Sequence, residues 1–133
     1  MKIERFSSVV AALILLQTLY FKFTAAPESV FIFSELGIEP YGRIGTGALE
    51  FLVSIFLLFR RFSLLGAIAG VIVILGALMA HIFVLGIQVQ NDGGKLFLLA
   101  LIVLFLCLIS IFLQKQKLIQ FLQTRTGSRF SKL

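Results

Sequence analysis

Four residues of the segment 41–59 place polar or small groups along one side of an otherwise apolar stretch. Arg43, Gly47, Glu50 and Ser54 follow one another at spacings of four, three and four residues, so they share one face of a helix. A carboxylate at membrane depth is expensive unless it faces the bundle interior, an opposite charge or water. Glu50 therefore indicates a polar site inside a membrane protein.

The depth of other polar residues predicts which side chains join Glu50. A helix rises about 1.5 Å per residue, which places Gln17, Glu50 and His81 each about 10 Å from the outer end of its own helix. Lys22 and Arg43 lie nearer that end. We therefore predict one outer-half pocket, formed by Gln17, Lys22, Arg43, Glu50 and His81.

Each pocket residue also has a simpler interpretation. Lys22 is typical of a snorkelling side chain at a helix end, and Arg43 of an interface anchor. Gln17 fits a hydrogen bond between two helices. Glu50 and His81 are too deep to snorkel, so for them the alternatives are a ligand site and a structural pair that bridges two helices.

Small residues predict where the helices approach one another. Gly66, Gly70, Ala77 and His81 follow at spacings of four, seven and four residues, and small side chains let helix backbones pack closely in lipid. His81 should therefore point into the bundle. Gly47 should have the same packing role one turn before Glu50.

The composition excludes a soluble domain. The chain has 133 residues, of which 59% are hydrophobic and 14% charged, with a mean hydropathy of +1.08. Four segments, 6–24, 41–59, 62–88 and 95–113, reach the length that crosses a bilayer. A short helix at 27–36, beginning at Pro27 and ending before Gly37, should lie at the outer interface. We predict an all-α integral membrane protein, with a four-helix membrane domain over 1–113.

The distribution of Lys and Arg predicts the orientation. With both termini inside, nine basic residues lie on the inner side and three on the outer side, as the positive-inside rule requires. The inner set is Lys2, Arg5, Arg60, Arg61, Lys115, Lys117, Arg125, Arg129 and Lys132; the outer set is Lys22, Arg43 and Lys95. We expect 114–133 to form a basic cytoplasmic tail in contact with anionic lipid. Nucleic-acid binding is then an unnecessary hypothesis.

Several chemistries lack the residues they need. Cys107 is the only cysteine and His81 the only histidine, so disulfide exchange, bis-histidine haem ligation and a zinc cluster have no ligand set. No glycine-rich nucleotide motif is present. We expect no metal and no intrinsic cofactor, and any redox chemistry would need a partner subunit.

Five short motifs together resemble one known family. They are FKFT at 21–24, APES at 26–29, ELGIEP at 35–40, GALE at 47–50 and GALMAH at 76–81. In this order they resemble the DoxX family of small bacterial membrane proteins. The resemblance implies a four-helix bundle in the bacterial inner membrane. Relatives are linked to quinone-dependent sulfur oxidation and to a membrane oxidoreductase complex in oxidative-stress defence, but this chain lacks the cysteines that sulfur chemistry would use.

The expected function is accessory rather than enzymatic. We expect a binder of a small hydrophobic molecule, a quinone or a lipid, beside an oxidoreductase partner. One alternative is a small proton-coupled transporter of hydrophobic compounds, although such carriers keep their essential carboxylate in the first helix. Another is a purely structural membrane subunit. The sequence leaves both a monomer and a homo-oligomer open.

Overall fold

The computed structural model describes residues 3–130, and within them it contains only helices and their connections. Lys2 and Lys132, two members of the predicted inner basic set, lie outside the described residues. The five α-helices are α1 (Ile3–Phe23), α2 (Pro27–Glu35), α3 (Tyr41–Leu58), α4 (Ser63–Ala80) and α5 (Lys95–Phe130). A 3₁₀ turn, Arg60–Phe62, joins α3 to α4, and a π-helical turn, His81–Leu85, extends α4.

Four of the helical segments are long and apolar enough to cross a membrane: α1, α3, α4 with its flanking turns, and α5. This confirms the all-α chain with four such helices. Each long helix packs against two others, because α1 contacts α3 and α5 while α4 contacts the same two. The buried core between them consists largely of small and branched side chains: Ala11, Ala12, Leu15, Val53, Leu57, Ala67, Ile74, Leu78, Ala100, Val103 and Cys107.

Close approach of α4 to its neighbours depends on two glycines. A Cβ at Gly66 would lie 2.7 Å from the backbone nitrogen of Leu57 on α3. A Cβ at Gly70 would lie 3.0 Å from the Cys107 sulfur on α5 and 3.4 Å from Val53. Without side chains at these positions, α4 packs almost backbone to backbone against α3.

Three helix ends differ from the prediction by three residues or more. Helix α1 begins at Ile3, three residues before the predicted start at residue 6. The third spanning segment was expected to reach residue 88, but it ends at Leu85, where Gly86 adopts a φ of +79° and its N–H closes the π-turn on the His81 carbonyl. Glycine reaches this backbone conformation without the strain that a side chain would cause. The last helix was expected to end at residue 113, but α5 continues to Phe130. Its further residues are mostly good helix formers such as Leu, Gln and Lys.

The short helix in the first loop is present as α2. Pro27 occupies its first turn, where a backbone N–H would have no partner within the helix. Gly37, with a φ of +74°, follows its end. Helix α2 packs against α1, α3 and the π-turn, so it covers the end of the bundle where α1 ends and α3 begins.

Candidate functional site

A buried ion pair joins α1 to α3 at this end of the bundle. Lys22, in the last turn of α1, places its ammonium 2.8 Å from the Glu50 carboxylate. Thr18, one turn earlier on α1, donates a second hydrogen bond of 3.2 Å to the same oxygen. The Glu50 side chain is 8% exposed and that of Lys22 is 15% exposed, so both charges are almost fully removed from solvent.

A second ion pair extends the network toward α2. The Arg43 Nε donates to Glu39 at 2.8 Å, and its Nη1 donates to the backbone carbonyl of Lys22. Arg43 therefore ties the residues before α3 to the end of α1. The other carboxylate oxygen of Glu39 is buried and has no hydrogen-bond partner among the described residues. We call the end of the bundle that contains Lys22, Glu39, Arg43 and Glu50 the charged end.

A glycine explains why the first pair can form. A Cβ at Gly47 would lie 2.9 Å from the Phe23 ring and 3.6 Å from the Lys22 Cβ. The absence of a side chain lets the end of α1 lie against α3 one turn above Glu50. On the same face, the Ser54 hydroxyl donates to the Glu50 backbone carbonyl at 2.7 Å, which satisfies this buried hydroxyl locally.

The structure places His81 apart from the Lys22–Glu50 pair. His81 is buried, its Nδ1 lies 3.0 Å from the Gly86 carbonyl oxygen, and its ring meets that of Phe97 edge to face at 5.7 Å. Between residues 3 and 130, no hydrogen bond or ion pair joins His81 to Glu50. The expected single pocket is thus divided, because the hydrogen bonds to Glu50 come from α1, while that of His81 is made with Gly86 at the end of its own π-turn.

Gln17 does not join the network. It is exposed on the outside of α1, and the next residue, Thr18, takes the place beside Glu50. One residue corresponds to about 100° of rotation, so a depth argument alone could not distinguish the two. The four-residue spacing of Thr18 and Lys22 is the signal that identifies the correct face. Ala77, the remaining expected packing residue, is half-buried on α4.

A neutral polar cluster, whose residues are not among the predicted site residues, lies at the opposite end of the bundle. The Ser8 hydroxyl lies 2.9 Å from that of Ser63 and 2.7 Å from that of Ser110. Gln114 donates to Ser63 at 3.1 Å and to Ser110 at 2.6 Å. We call this end of the bundle, defined by Ser8, Ser63, Ser110 and Gln114, the serine end. The cluster links α1, α4 and α5. The signal for it was one serine near the same end of each of three helices.

At the serine end, Arg5 of α1 binds to the end of α3. Arg5 donates from Nη1 to the Leu57 carbonyl at 3.2 Å and from Nη2 to the Leu58 carbonyl. These are carbonyls of the last turn of α3, where a positive charge is favourable. Arg5 thus closes the end of α3 from the neighbouring helix α1.

A capped loop connects the π-turn to α5. The backbone N–H groups of Val89 and Gly94 donate to one oxygen of Asp92 at 3.1 and 2.8 Å, and that of Leu96 donates to the other at 3.2 Å. Burial alone would raise the pKa of Asp92, but these three hydrogen bonds, with a smaller contribution from His81, lower it below its ordinary value. Asp92 is therefore a carboxylate that holds the loop and the start of α5 in place.

The apolar groove at the flank of the bundle lies away from the charged network. It has a volume of about 420 Å³ and is lined by one residue of α1 and five of α5: Ile3, Phe105, Leu108, Ile109, Phe112 and Leu113. In the described part of the chain, no three His, Cys, Asp or Glu side chains lie close enough together to hold a metal ion.

These features are those of a small α-helical membrane protein that is held by ion pairs at one end and by hydroxyl groups at the other. Comparisons of the chain with protein-family models, curated proteins and solved structures find no match.

Proposed function

We propose that this chain is a DoxX-like accessory protein of the bacterial inner membrane that binds the polar head of a small hydrophobic molecule at its charged end. The molecule is a quinone or a lipid, and the redox chemistry belongs to an oxidoreductase partner. Both termini lie in the cytoplasm, so the charged end and α2 lie at the outer interface. The orientation is supported by the excess of basic residues at the serine end.

The observation that carries the proposal is the Lys22–Glu50 pair. Its two charges lie 2.8 Å apart and nearly buried between α1 and α3. Replacing a buried ion pair by apolar residues is often neutral or stabilising, so packing alone does not explain why a bundle contains one. Ionisable groups inside a membrane bundle are rare and indicate a functional site by default.

The network offers hydrogen bonds that suit a quinone or lipid head. An ammonium group carries three donors, and in the hydrogen bonds described here Lys22 directs one of them to Glu50. A carbonyl or phosphate oxygen could accept another. The positive charges of Lys22 and Arg43 are balanced by Glu39 and Glu50, which favours a polar but neutral head over a strongly charged one. Helix α2 packs at this end and would shield the head from water.

A purely structural role is the second candidate, because Lys22 and Glu50 already form an ion pair with each other. The exchange variant Lys22→Glu with Glu50→Lys distinguishes a structural role from ligand binding. It keeps an ion pair between α1 and α3 but moves the ammonium from one helix to the other. A structural tie should tolerate the exchange, whereas a ligand positioned by Lys22 should bind more weakly.

The test is native mass spectrometry of the purified protein in detergent, with a short-chain quinone and with its own co-purified lipids as probes. We expect wild type and Glu35→Gln, an exposed carboxylate on α2, to retain one of these molecules. The exchange variant should unfold at a similar temperature and lose it. If wild type retains neither, or if the exchange variant binds as well as wild type, the structural role stands instead.

A further inference from the structure

The apolar groove between α1 and α5 is a second candidate ligand site. It is lined by Ile3 of α1 and by Phe105, Leu108, Ile109, Phe112 and Leu113 of α5, and its volume is about 420 Å³. All six lining side chains are apolar, so the groove suits an acyl chain. Ser110 of the serine cluster lies on the buried face of α5, so the groove opens on the opposite, lipid-facing side of the same helix at the serine end.

A basic residue marks the end of this groove. Lys115 is exposed and lies three residues after Phe112 and seven after Leu108, which places it on the same face of α5. It lies about 4.5 Å along the helix axis from Phe112, at 1.5 Å per residue. The face of α5 that lines the groove therefore continues to the Lys115 side chain.

The serine end carries an excess of positive charge. Among the side chains that the structure describes there, five are basic and one is acidic. The basic ones are Arg5, Arg60, Arg61, Lys115 and Arg125, and the acidic one is Glu4. The other five acidic residues of the chain lie on the charged-end side: Glu28, Glu35, Glu39, Glu50 and Asp92. An anionic group is thus favoured at the serine end and disfavoured at the other.

We propose that this groove binds one anionic phospholipid, with an acyl chain along Phe105 to Leu113 and the phosphate at Lys115. The site is separate from the proposed head-group site at the charged end and does not depend on it. A lysine ammonium is a common phosphate ligand, and the groove supplies an apolar surface for the chain. A second copy of the protein fits less well, because a symmetric contact on this face would bring Lys115 against its counterpart.

The test compares phosphatidylglycerol with phosphatidylcholine of identical acyl chains, titrated into the purified full chain and followed by native mass spectrometry. We expect phosphatidylglycerol to bind preferentially. Lys115→Gln should weaken its binding about fivefold, the typical contribution of one basic residue near an anionic surface. Lys95→Gln removes the same charge from the other end of α5, where the side chain is also exposed, and should leave the binding unchanged.

A second pair of variants tests the acyl chain. Ile109→Trp should fill the groove and weaken the binding of both lipids, whereas Ile102→Trp, seven residues earlier on the same face and outside the groove, should not. Equal binding of the two lipids, or wild-type binding by Lys115→Gln, would overturn the proposal. So would a dimer that Ile109→Trp removes. If Ile109→Trp unfolds at a lower temperature, the exposed Lys115 variant decides alone.

Discussion

The two ends of this bundle are held together by different chemistry. At the charged end, α1 and α3 are joined by Lys22–Glu50 and by Arg43, which reaches both Glu39 and the Lys22 carbonyl. At the serine end, α1, α4 and α5 are joined by neutral hydroxyl and amide groups within 3.1 Å of one another. The charged end uses full charges in a low-dielectric environment, whereas the cluster of Ser8, Ser63, Ser110 and Gln114 uses groups that are neutral at every physiological pH.

This difference determines how much stability is lost when a side chain at either end is substituted. A hydroxyl is both donor and acceptor, so a serine cluster can rearrange its hydrogen bonds when one member is lost. A buried ammonium or carboxylate cannot, because loss of its partner leaves an uncompensated buried charge. Loss of one side chain should therefore reduce the free energy of unfolding more at the charged end than at the serine end.

The largest effect is expected from Glu50→Ala. The substitution leaves the Lys22 ammonium nearly buried without its carboxylate, and breaking a buried pair in this way costs about 3 kcal/mol. The free energy of unfolding in detergent measures it. Glu35→Ala, which removes an exposed carboxylate from α2, should change stability by no more than about 0.5 kcal/mol. A loss of less than about 1 kcal/mol for Glu50→Ala would mean that the pair behaves like an exposed one and that the two ends are alike.

The next effect tests steric packing near the serine end. A Cβ at Gly66 would lie 2.7 Å from the Leu57 nitrogen, whereas one at Gly76, on the same helix, would meet nothing within 4 Å. Gly66→Ala should therefore destabilise the protein by about 2 kcal/mol through forced separation of α3 and α4. Gly76→Ala should be neutral or stabilise it by up to about 1 kcal/mol through helix propensity. Equal unfolding temperatures for the two variants would contradict the close approach.

The sequence was sufficient to predict the parts of the fold that depend on hydrophobicity. The four spanning segments, the helix at α2 and its terminal Pro27 and Gly37 follow from composition and from local rules. The length of α5 did not, because the apolar run ends near Leu113 while helix propensity continues beyond it. Hydropathy locates the end of a membrane-spanning stretch, whereas capping and helix-breaking residues determine where the helix itself ends.

The site was harder to predict because it depends on rotation about each helix axis. Spacing along one helix placed Gly47 and Glu50 together correctly, but matching depths between helices selected Gln17 in place of Thr18. Depth also could not reveal that the His81 ring would form a hydrogen bond with the Gly86 carbonyl, at the end of the π-turn that His81 begins. Serine gives a weak signal in any membrane helix, since it is tolerated both at interfaces and facing its own backbone.

A smaller effect is expected from Ser8→Ala at the serine end. Ser8 contacts Ser63 and Ser110, and an interhelical hydrogen bond in a membrane protein contributes about 0.6 kcal/mol on average. We expect a loss of about 1 kcal/mol in the free energy of unfolding, with no dependence on pH between 5 and 8 because no member of the cluster titrates there. Ser34→Ala on α2, where the serine is exposed, is the control. A loss as large as that of Glu50→Ala would remove the distinction between the ends.

The smallest effect concerns Asp92, which belongs to the charged-end side but acts through backbone N–H groups instead of an ion pair. Asp92→Asn keeps one acceptor oxygen and loses the charge and the hydrogen bond from Leu96, so we expect a loss of about 0.5 kcal/mol at pH 7.

Because folding lowers the pKa of Asp92 from 3.8, its stabilisation is present above that pH and is lost as the pH falls through the lowered value. The difference in unfolding temperature between wild type and Asp92→Asn should therefore shrink from pH 7 to pH 3, while Glu35→Gln should unfold like wild type at pH 7. A difference that grows on acidification would show that Asp92 is destabilised by folding, contrary to its three hydrogen bonds.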